Sequence, residues 1–564
     1  MSRTTCNRYT STMFRKGFPL SLLLLCTGTF AQNPLAIPPA LDVDTFHLVV
    51  DEHTHQFYPG LTTNTYGVNG EFLGPTLIFH RGDTAHLRLI NQLADHTSMH
   101  WHGLQVPGEM DGGPQRMVMP GDSWDVKYKV KNPAGTFWYH PHPHEQTAEQ
   151  VNMGLAGMII VQDDEEAALD LPRTYGVDDI PVVIQDRRFL GNGNFVFGPF
   201  GDSILVNGTP DPFVDLPAQV VRLRLLNGSN ARIYQLGFED DRTFSIIGND
   251  GGLLDAPIAT DRVRLSNGER SEVLLDLTGL EGDSLLLMGF ATELTSSMPG
   301  SSYILWEGSA LNGIDFPILR IRVTAPTADP VASIPTDLVT LTPPDPDDVS
   351  RLRYKAFSGN GMVGMGMFFI NGLMFDMDVV NDTMLLGATE EWNVLNGSDI
   401  AHPFHIHGGS FWIMDRDGMP PHPWERGWKD VVLVDMAESV TFLMKFEETT
   451  DGWPFMYHCH NLLHEDNMMM LQYIVLDPST QLTEAANGET INVYPSPSTG
   501  SFTFQSGFAV YEANLTDMLG RTVLRQAISG RFQGELDAHA LPPASYVLRL
   551  VGADRSAHSV VVRE

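Results

Sequence analysis

From about residue 42 onward, apolar and polar positions alternate in short runs, each closed by a cluster of Gly, Pro, Asn or Asp, and no long stretch repeats with a helical period. That pattern predicts a β-rich chain with many turns and little helix. One phrase occurs three times, opening as Val68-Asn69-Gly70, Val206-Asn207-Gly208 and Ile370-Asn371-Gly372. A strand then follows 19 to 24 residues later, ending in Leu89-Ile90-Asn91, Leu225-Leu226-Asn227 or Val394-Leu395-Asn396. A repeat of roughly 140 to 160 residues is domain-sized, so the phrase predicts three related β-sandwiches rather than a solenoid.

Boundaries are expected in acidic or proline-rich segments, Asp163 to Asp179 and Thr324 to Ser350, and the composition changes past residue 483. The expected layout is a leader at 1–31, a first domain at 32–170, a second at 171–330, a third at 331–482 and a small C-terminal β-domain at 483–564. The leader carries Arg3, Arg8, Arg15 and Lys16, then an apolar run from Phe18 to Phe30 and a cleavage point after Ala31, the form of a secretory signal. No later stretch is apolar enough to span a bilayer.

Composition narrows the partners. Lys and Arg total 35 against 69 Asp and Glu, for a formal net charge of −34, which argues against a nucleic-acid partner. Cys6 and Cys26 leave with the leader, so Cys459 becomes the one thiol of an exported chain. An exposed free thiol would oxidise outside the cell, so Cys459 is expected to be buried or metal-bound.

Cys459 lies in Tyr457-His458-Cys459-His460, with His464 five residues on and Met469 ten residues on. On a strand, Cys459 faces one way while His458 and His460 face the other. In His402-Pro403-Phe404-His405-Ile406-His407, His402 has the opposite parity to His405 and His407, so it can join Cys459 while the other two join His458 and His460. A thiolate, two imidazoles and a thioether form the soft trigonal-plus-axial set of a blue copper centre. Four His-x-His pairs stand out: His100 with His102, His140 with His142, His405 with His407, and His458 with His460. The first and third domains each supply two pairs, so eight imidazoles are expected to converge on copper at the interface of those domains. Pro141 stands in the first domain where Cys459 stands in the third, and the middle domain has no histidine, so one blue copper site is expected.

His-Trp-His-Gly, His-x-His, His-Pro-x-His-x-His and His-Cys-His-x-x-x-His with a methionine ten after the cysteine together closely resemble the multicopper oxidases, which include laccases, bilirubin oxidases and bacterial cuprous oxidases. The resemblance covers about residues 42 to 478 and implies three cupredoxin-like Greek-key β-sandwiches in an all-β chain. It implies four copper ions. His402, Cys459, His464 and Met469 would hold the type 1 ion; His100 and His405 the type 2 ion; His102, His140, His142, His407, His458 and His460 the type 3 pair. The implied reaction takes four one-electron oxidations of a small-molecule reductant and reduces one dioxygen to two waters, with Cys459 in the electron path. Asp111 and Glu465 resemble the family's proton-delivery carboxylates; the local alternative for each is a turn or solvated acid, which for Asp111 follows from the two glycines after it.

Phenols or aromatic amines are the expected donors, with Cu(I) as the alternative suggested by Met362, Met365, Met367, Met374 and Met377. Asp399 resembles an acid that helps bind substrate copper, but Ile400 and Ala401 replace the expected methionine; packing is the other reading of the methionines. A copper-binding or electron-transfer protein without oxidase activity is the non-enzyme alternative. The C-terminal domain, with Tyr494-Pro495-Ser496-Pro497 and the late strand Tyr546-Val547-Leu548, resembles sorting domains of type IX secretion cargo, an accessory β-domain being the alternative. Export through the periplasm to the cell surface or medium, contact with the secretion machinery and a monomeric state are expected.

Overall fold

The computed structural model describes residues 32–302, 309–361, 366–477, 491–517, 521–552 and 556–563. The leader, and Met362 and Met365 of the methionine cluster, lie outside the described residues. The all-β expectation holds: three cupredoxin-like units and a C-terminal β-domain account for nearly all ordered elements. Among the described residues no helix is long and apolar enough to cross a membrane.

Alternation in sequence becomes alternation in burial. Ser123–Lys129 buries every second residue, with Trp124, Val126 and Tyr128 facing the core. Val220–Asn227 is buried throughout although it reads Val-Arg-Leu-Arg-Leu, because a neighbouring unit covers its second face. There Arg222 bonds Glu166 and Glu272, while Arg224 bonds Asp179, Glu272 and Thr136. Buried charges survive when every donor is matched, so these arginines fix how the first and middle units meet.

The repeated phrase has a physical cause. Asn69, Asn207 and Asn371 all adopt the left-handed conformation, with φ of 55°, 49° and 55°. Their side-chain carbonyls accept from the N–H of Val49, Val183 and Ala356 at 2.7, 2.8 and 2.7 Å. Asparagine tolerates that backbone region and bonds locally. The closing asparagines also act alike, Asn91, Asn227 and Asn396 accepting from the N–H two residues on. In each unit the phrase joins strands of one sandwich: Phe46–Tyr58, Asp179–Phe189 and Val349–Asn360 run parallel to Thr84–Asn91, Val220–Asn227 and Thr389–Asn396.

The motif strands sit side by side. In the first unit, His100–His102 pairs antiparallel with Gly135–His140 at one end of a five-stranded sheet, His100 opposite His140. In the third, His402–Ile406 pairs antiparallel with Phe455–Cys459, placing Phe404 opposite Cys459 and His405 opposite His458. Trp101, fully buried between the two histidines of its strand, packs on Trp124 and Tyr139 and turns His100 and His102 away from the core. Helices Thr147–Met153 and Leu462–Asp466 then clasp the first and third units through Ala148, Val151, Leu462 and Leu463. Asp466 reinforces the clasp by accepting from the N–H of Thr147 and Ala148, both at 2.9 Å.

The C-terminal unit is a hydrogen-bonded sheet of five strands around its own core of Phe502, Phe504, Leu515, Tyr546 and Leu548. Register shifts along Ser501–Asp517 move the buried positions from even to odd residue numbers, so one long strand keeps its apolar side inward through a bend.

Candidate metal centre

The strand of Cys459 has a sulfur on one side and imidazoles on the other. Cys459 Sγ lies 3.4 Å from His402 Nδ1 and 3.5 Å from His464 Nδ1, all three side chains fully buried. His402 is oriented by Ser398, whose hydroxyl meets its Nε2 at 2.8 Å. His464 rides on the short helix Leu462–Asp466, whose first turn is capped by the Asn461 side chain. Met469 closes the loop: its N–H donates to His464 O at 2.8 Å and its carbonyl accepts from Cys459 N–H at 3.1 Å. The Phe368 ring lies 4.9 Å from the His402 ring and 4.5 Å from the His464 ring, roofing the site. Burial pushes the Cys459 thiol well above its ordinary range, so a metal that binds there displaces a proton.

On the other face, the eight remaining histidines form three groups of nitrogen donors. His142 Nε2 and His407 Nε2 lie 3.3 and 3.2 Å from His458 Nε2. His140 Nε2 and His460 Nε2 lie 3.4 and 3.2 Å from His102 Nδ1. His100 and His405 complete the set; their Nδ1 atoms donate to the carbonyls of Asp111 and Asp430 at 3.0 and 2.7 Å, leaving each Nε2 buried and unpartnered. None of the eight is more than 1% exposed.

This is an expensive arrangement without a metal. Burial pushes His102, His140, His142, His405, His407 and His460 well below the usual imidazole range, with neighbouring imidazoles adding to the effect, and brings His458 and His464 to about 3. A neutral imidazole has one N–H and one lone pair; with the N–H committed outward, as in His100, His405 and His407, the nitrogens that face the cluster present lone pairs, and buried polar atoms are ordinarily partnered. Neutral nitrogen donors in one group, and a sulfur with two nitrogens in the other, fit copper better than a hard cation that prefers oxygen.

Two buried acids stand directly behind the donors. Asp111 Oδ2 accepts from His407 Nδ1 at 2.7 Å, and Asp111 Oδ1 lies 3.4 Å from His100 Nδ1. Its turn role is real too: Gly112 has φ +81°, and a Cβ there would sit 1.8 Å from Met99 O. Glu465 Oε1 lies 3.3 Å from His142 Nδ1 and Oε2 lies 3.2 Å from His458 Nδ1, neither aligned as a hydrogen bond. Burial, with Asp466 alongside, holds the Glu465 carboxyl well above the usual range; Asp466 itself is raised to about 7.

Every histidine of the four pairs and of the thiol site is therefore beside its expected neighbours. The methionine cluster is not gathered on one spot: Met367 and Met374 are 56% and 43% exposed, whereas Met377 packs against Phe375, Met456 and Met470. His53 and His55 stay outside the centre, His55 pairing with Glu71 at 3.0 Å. Sequence reading missed Ser398, Asp430 and Arg270. Asp430 meets His102 Nε2 at 3.1 Å, and Arg270 of the middle unit grips Asp430 at 2.7 and 2.6 Å. Their only sequence signal is the charged run Lys429-Asp430 beside the buried apolar strand Val431–Val434.

Comparison with known proteins agrees with this geometry. Residues 49–166 and 340–479 match the multicopper oxidase family, and residues 492–563 match the secretion system C-terminal sorting domain. The chain is 32% identical over 458 residues to the multicopper oxidase mco of Staphylococcus aureus, covering 78% of this chain and 92% of that one. It is 34% identical over 489 residues to the cell division protein FtsP of Escherichia coli (strain K12), covering 82% and 98%. A crystal structure of a laccase from Pediococcus acidilactici Pa5930 superposes with a TM-score of 0.70 at 34% identity, covering 79% of this chain and 94% of that one. The chain belongs to the multicopper oxidase family, which implies copper binding, and it ends in a secretion sorting domain.

Proposed function

We propose that this protein is a secreted oxidase that takes single electrons from four equivalents of an organic reductant, such as a phenol or aromatic amine, and reduces dioxygen to two waters. His402, Cys459, His464 and Met469 would hold the type 1 copper; His100 and His405 the type 2 copper; His102, His140, His142, His407, His458 and His460 the type 3 pair. Those four ions supply one-electron redox chemistry at the first site and dioxygen reduction at the other three. The observation that carries the reading is the convergence of eight buried imidazoles on one face of the strand whose other face presents Cys459. Pure electron transfer needs the sulfur site alone. The likeness to a cell division protein raises a role without oxidase chemistry, and the complete donor set supports the oxidase against it.

The chain's own residues have separate duties. Cys459 is bonded through its backbone to His458 and His460, so the two sites share a covalent path of one residue in either direction. Burial beside His142 and His458 raises the proton affinity of the Glu465 carboxyl, which suits it to take up a proton and pass it toward the cluster. Asp111 orients His407 and His100. Burial keeps bulk water away from all of them.

Cu(I) as donor is the second reading, supported by the exposed thioethers of Met367 and Met374, Met367 adjoining the Phe368 roof. The sorting domain supports export to the cell surface or medium by way of the periplasm, in contact with the secretion machinery. Oxygen uptake by the copper-loaded protein with a simple phenol or Cu(I) as sole donor, run in parallel, tests the assignment. Faster uptake with the phenol is expected; a clear preference for Cu(I) would transfer the protein to copper detoxification, and uptake with neither would overturn the oxidase reading.

A further inference from the structure

Seven of the eight cluster imidazoles present Nε2 to one another, and His102 alone presents Nδ1. Its outward nitrogen meets Asp430, 328 residues away in sequence and on the third unit. Asp430 is in turn held by the middle unit, which contributes none of the donor groups described above. We infer that Arg270, on that middle unit, is a positioning residue that locks the Asp430 carboxylate and thereby fixes which nitrogen of His102 faces the cluster; this rests on the proposed copper assignment.

The geometry leaves Arg270 no freedom. Its Nε donates to Thr136 O at 3.0 Å. One terminal nitrogen donates to Gly268 O at 3.0 Å and Asp430 Oδ1 at 2.7 Å, the other to Asp250 O at 2.7 Å and Asp430 Oδ2 at 2.6 Å. The guanidinium carries five N–H groups, and all five have an acceptor. A planar, fully used fork of this kind holds a carboxylate in one orientation, which a lysine cannot reproduce.

Asp430, so held, offers Oδ1 to His102 Nε2 at 3.1 Å. A neutral imidazole has one N–H and one lone pair, and a carboxylate can only accept. The proton therefore resides on Nε2 and the lone pair of Nδ1 faces His140 and His460. The backbone carbonyl of Asp430 treats His405 in the opposite sense, accepting from its Nδ1 at 2.7 Å and leaving Nε2 for the cluster. One residue thus sets both rings, which stack at 3.8 Å. Space is exhausted around the clamp: a Cβ on Gly103 would lie 2.2 Å from Asp430 Oδ2 and 2.8 Å from an Arg270 terminal nitrogen. On its far side, a Cβ on Gly268 would lie 3.1 Å from His460 Nε2. The middle unit is accordingly a wall and a clamp for the cluster, beyond spacing the other two.

Full-length wild type, Arg270→Met, Arg270→Lys and Asp430→Asn, loaded with copper, would be titrated with a chelator while copper per chain and the EPR-visible fraction are followed. Arg270→Met is expected to release cluster copper about 10- to 100-fold more readily than wild type. Its EPR-visible fraction should rise as the coupled pair is disturbed, the absorption of the Cys459 site staying unchanged, and Arg270→Lys should recover part of the loss. If Arg270→Met does not fold, Asp430→Asn reads the same effect, because its amide can donate to His102 Nε2 and reverse the ring's proton. Wild-type copper retention and EPR fraction in a folded Arg270→Met, whatever its melting temperature, would overturn the inference and leave Arg270 a brace of the fold. A wild-type chain that takes up no copper would instead overturn the oxidase assignment, and this inference with it.

Discussion

Replacing Cys459 by serine is expected to abolish donor oxidation, lowering oxygen uptake by a factor of about 10³ or more, equivalent to about 4 kcal/mol at 1.36 kcal/mol per decade. A serine hydroxyl does not replace a soft thiolate, so the intense colour of the sulfur site should vanish with the activity. The cluster should keep its copper. Cys459 stands opposite Phe404 across the strand pair, whereas His458 stands opposite His405, so the substitution touches one face only. Oxygen uptake, visible absorption and metal analysis of the same preparation check all three statements. Loss of all copper from the variant would refute the back-to-back arrangement, and retained donor oxidation would remove Cys459 from the electron path.

Glu465→Gln is the second large effect. The side chain is buried between His142 and His458 within 3.3 Å of both, makes no aligned bond to either, and burial raises its proton affinity above that of an ordinary carboxylate. A glutamine keeps its size but has no acidic proton to give. Turnover is expected to fall about 10²-fold, at the lower end of the roughly 10²- to 10⁴-fold range for a positioned proton donor. KM for the donor should not move, because Glu465 lies behind the imidazoles and is 3% exposed. Steady-state kinetics at several pH values separate these quantities. Wild-type turnover in the variant would show that protons reach the cluster by another route.

Much of this centre could be read from the chain because strand parity is strict. His402 with Cys459, and His405 with His458, follow from odd and even numbering once the segments are strands, and the helix of His464 does not alter the outcome. The three-fold phrase was legible as well, its asparagines each making the same turn. What parity cannot give is the surface that covers a face. Arg222 and Arg224 alternate with leucines as solvent-facing residues would, yet are 1% and 3% exposed because another unit lies on them. Arg270 and Asp430 are 160 positions apart and meet through domain packing, which leaves no local pattern. Nor does spacing tell which nitrogen of an imidazole turns inward; hydrogen bonds to Asp111, Asp430 and the backbone decide it. The methionine segment was suggestive in sequence, but the described part of it divides between solvent and core.

Joint action of the sulfur site and the imidazole cluster as one dioxygen-reducing unit is measurable by consuming a limiting, one-electron donor with the copper-loaded full-length protein while oxygen and hydrogen peroxide are followed together. Four donor equivalents oxidised for each dioxygen consumed, with no peroxide formed, are expected. Two equivalents per dioxygen with stoichiometric peroxide, or no oxygen uptake by a chain carrying its full set of copper, would contradict joint action.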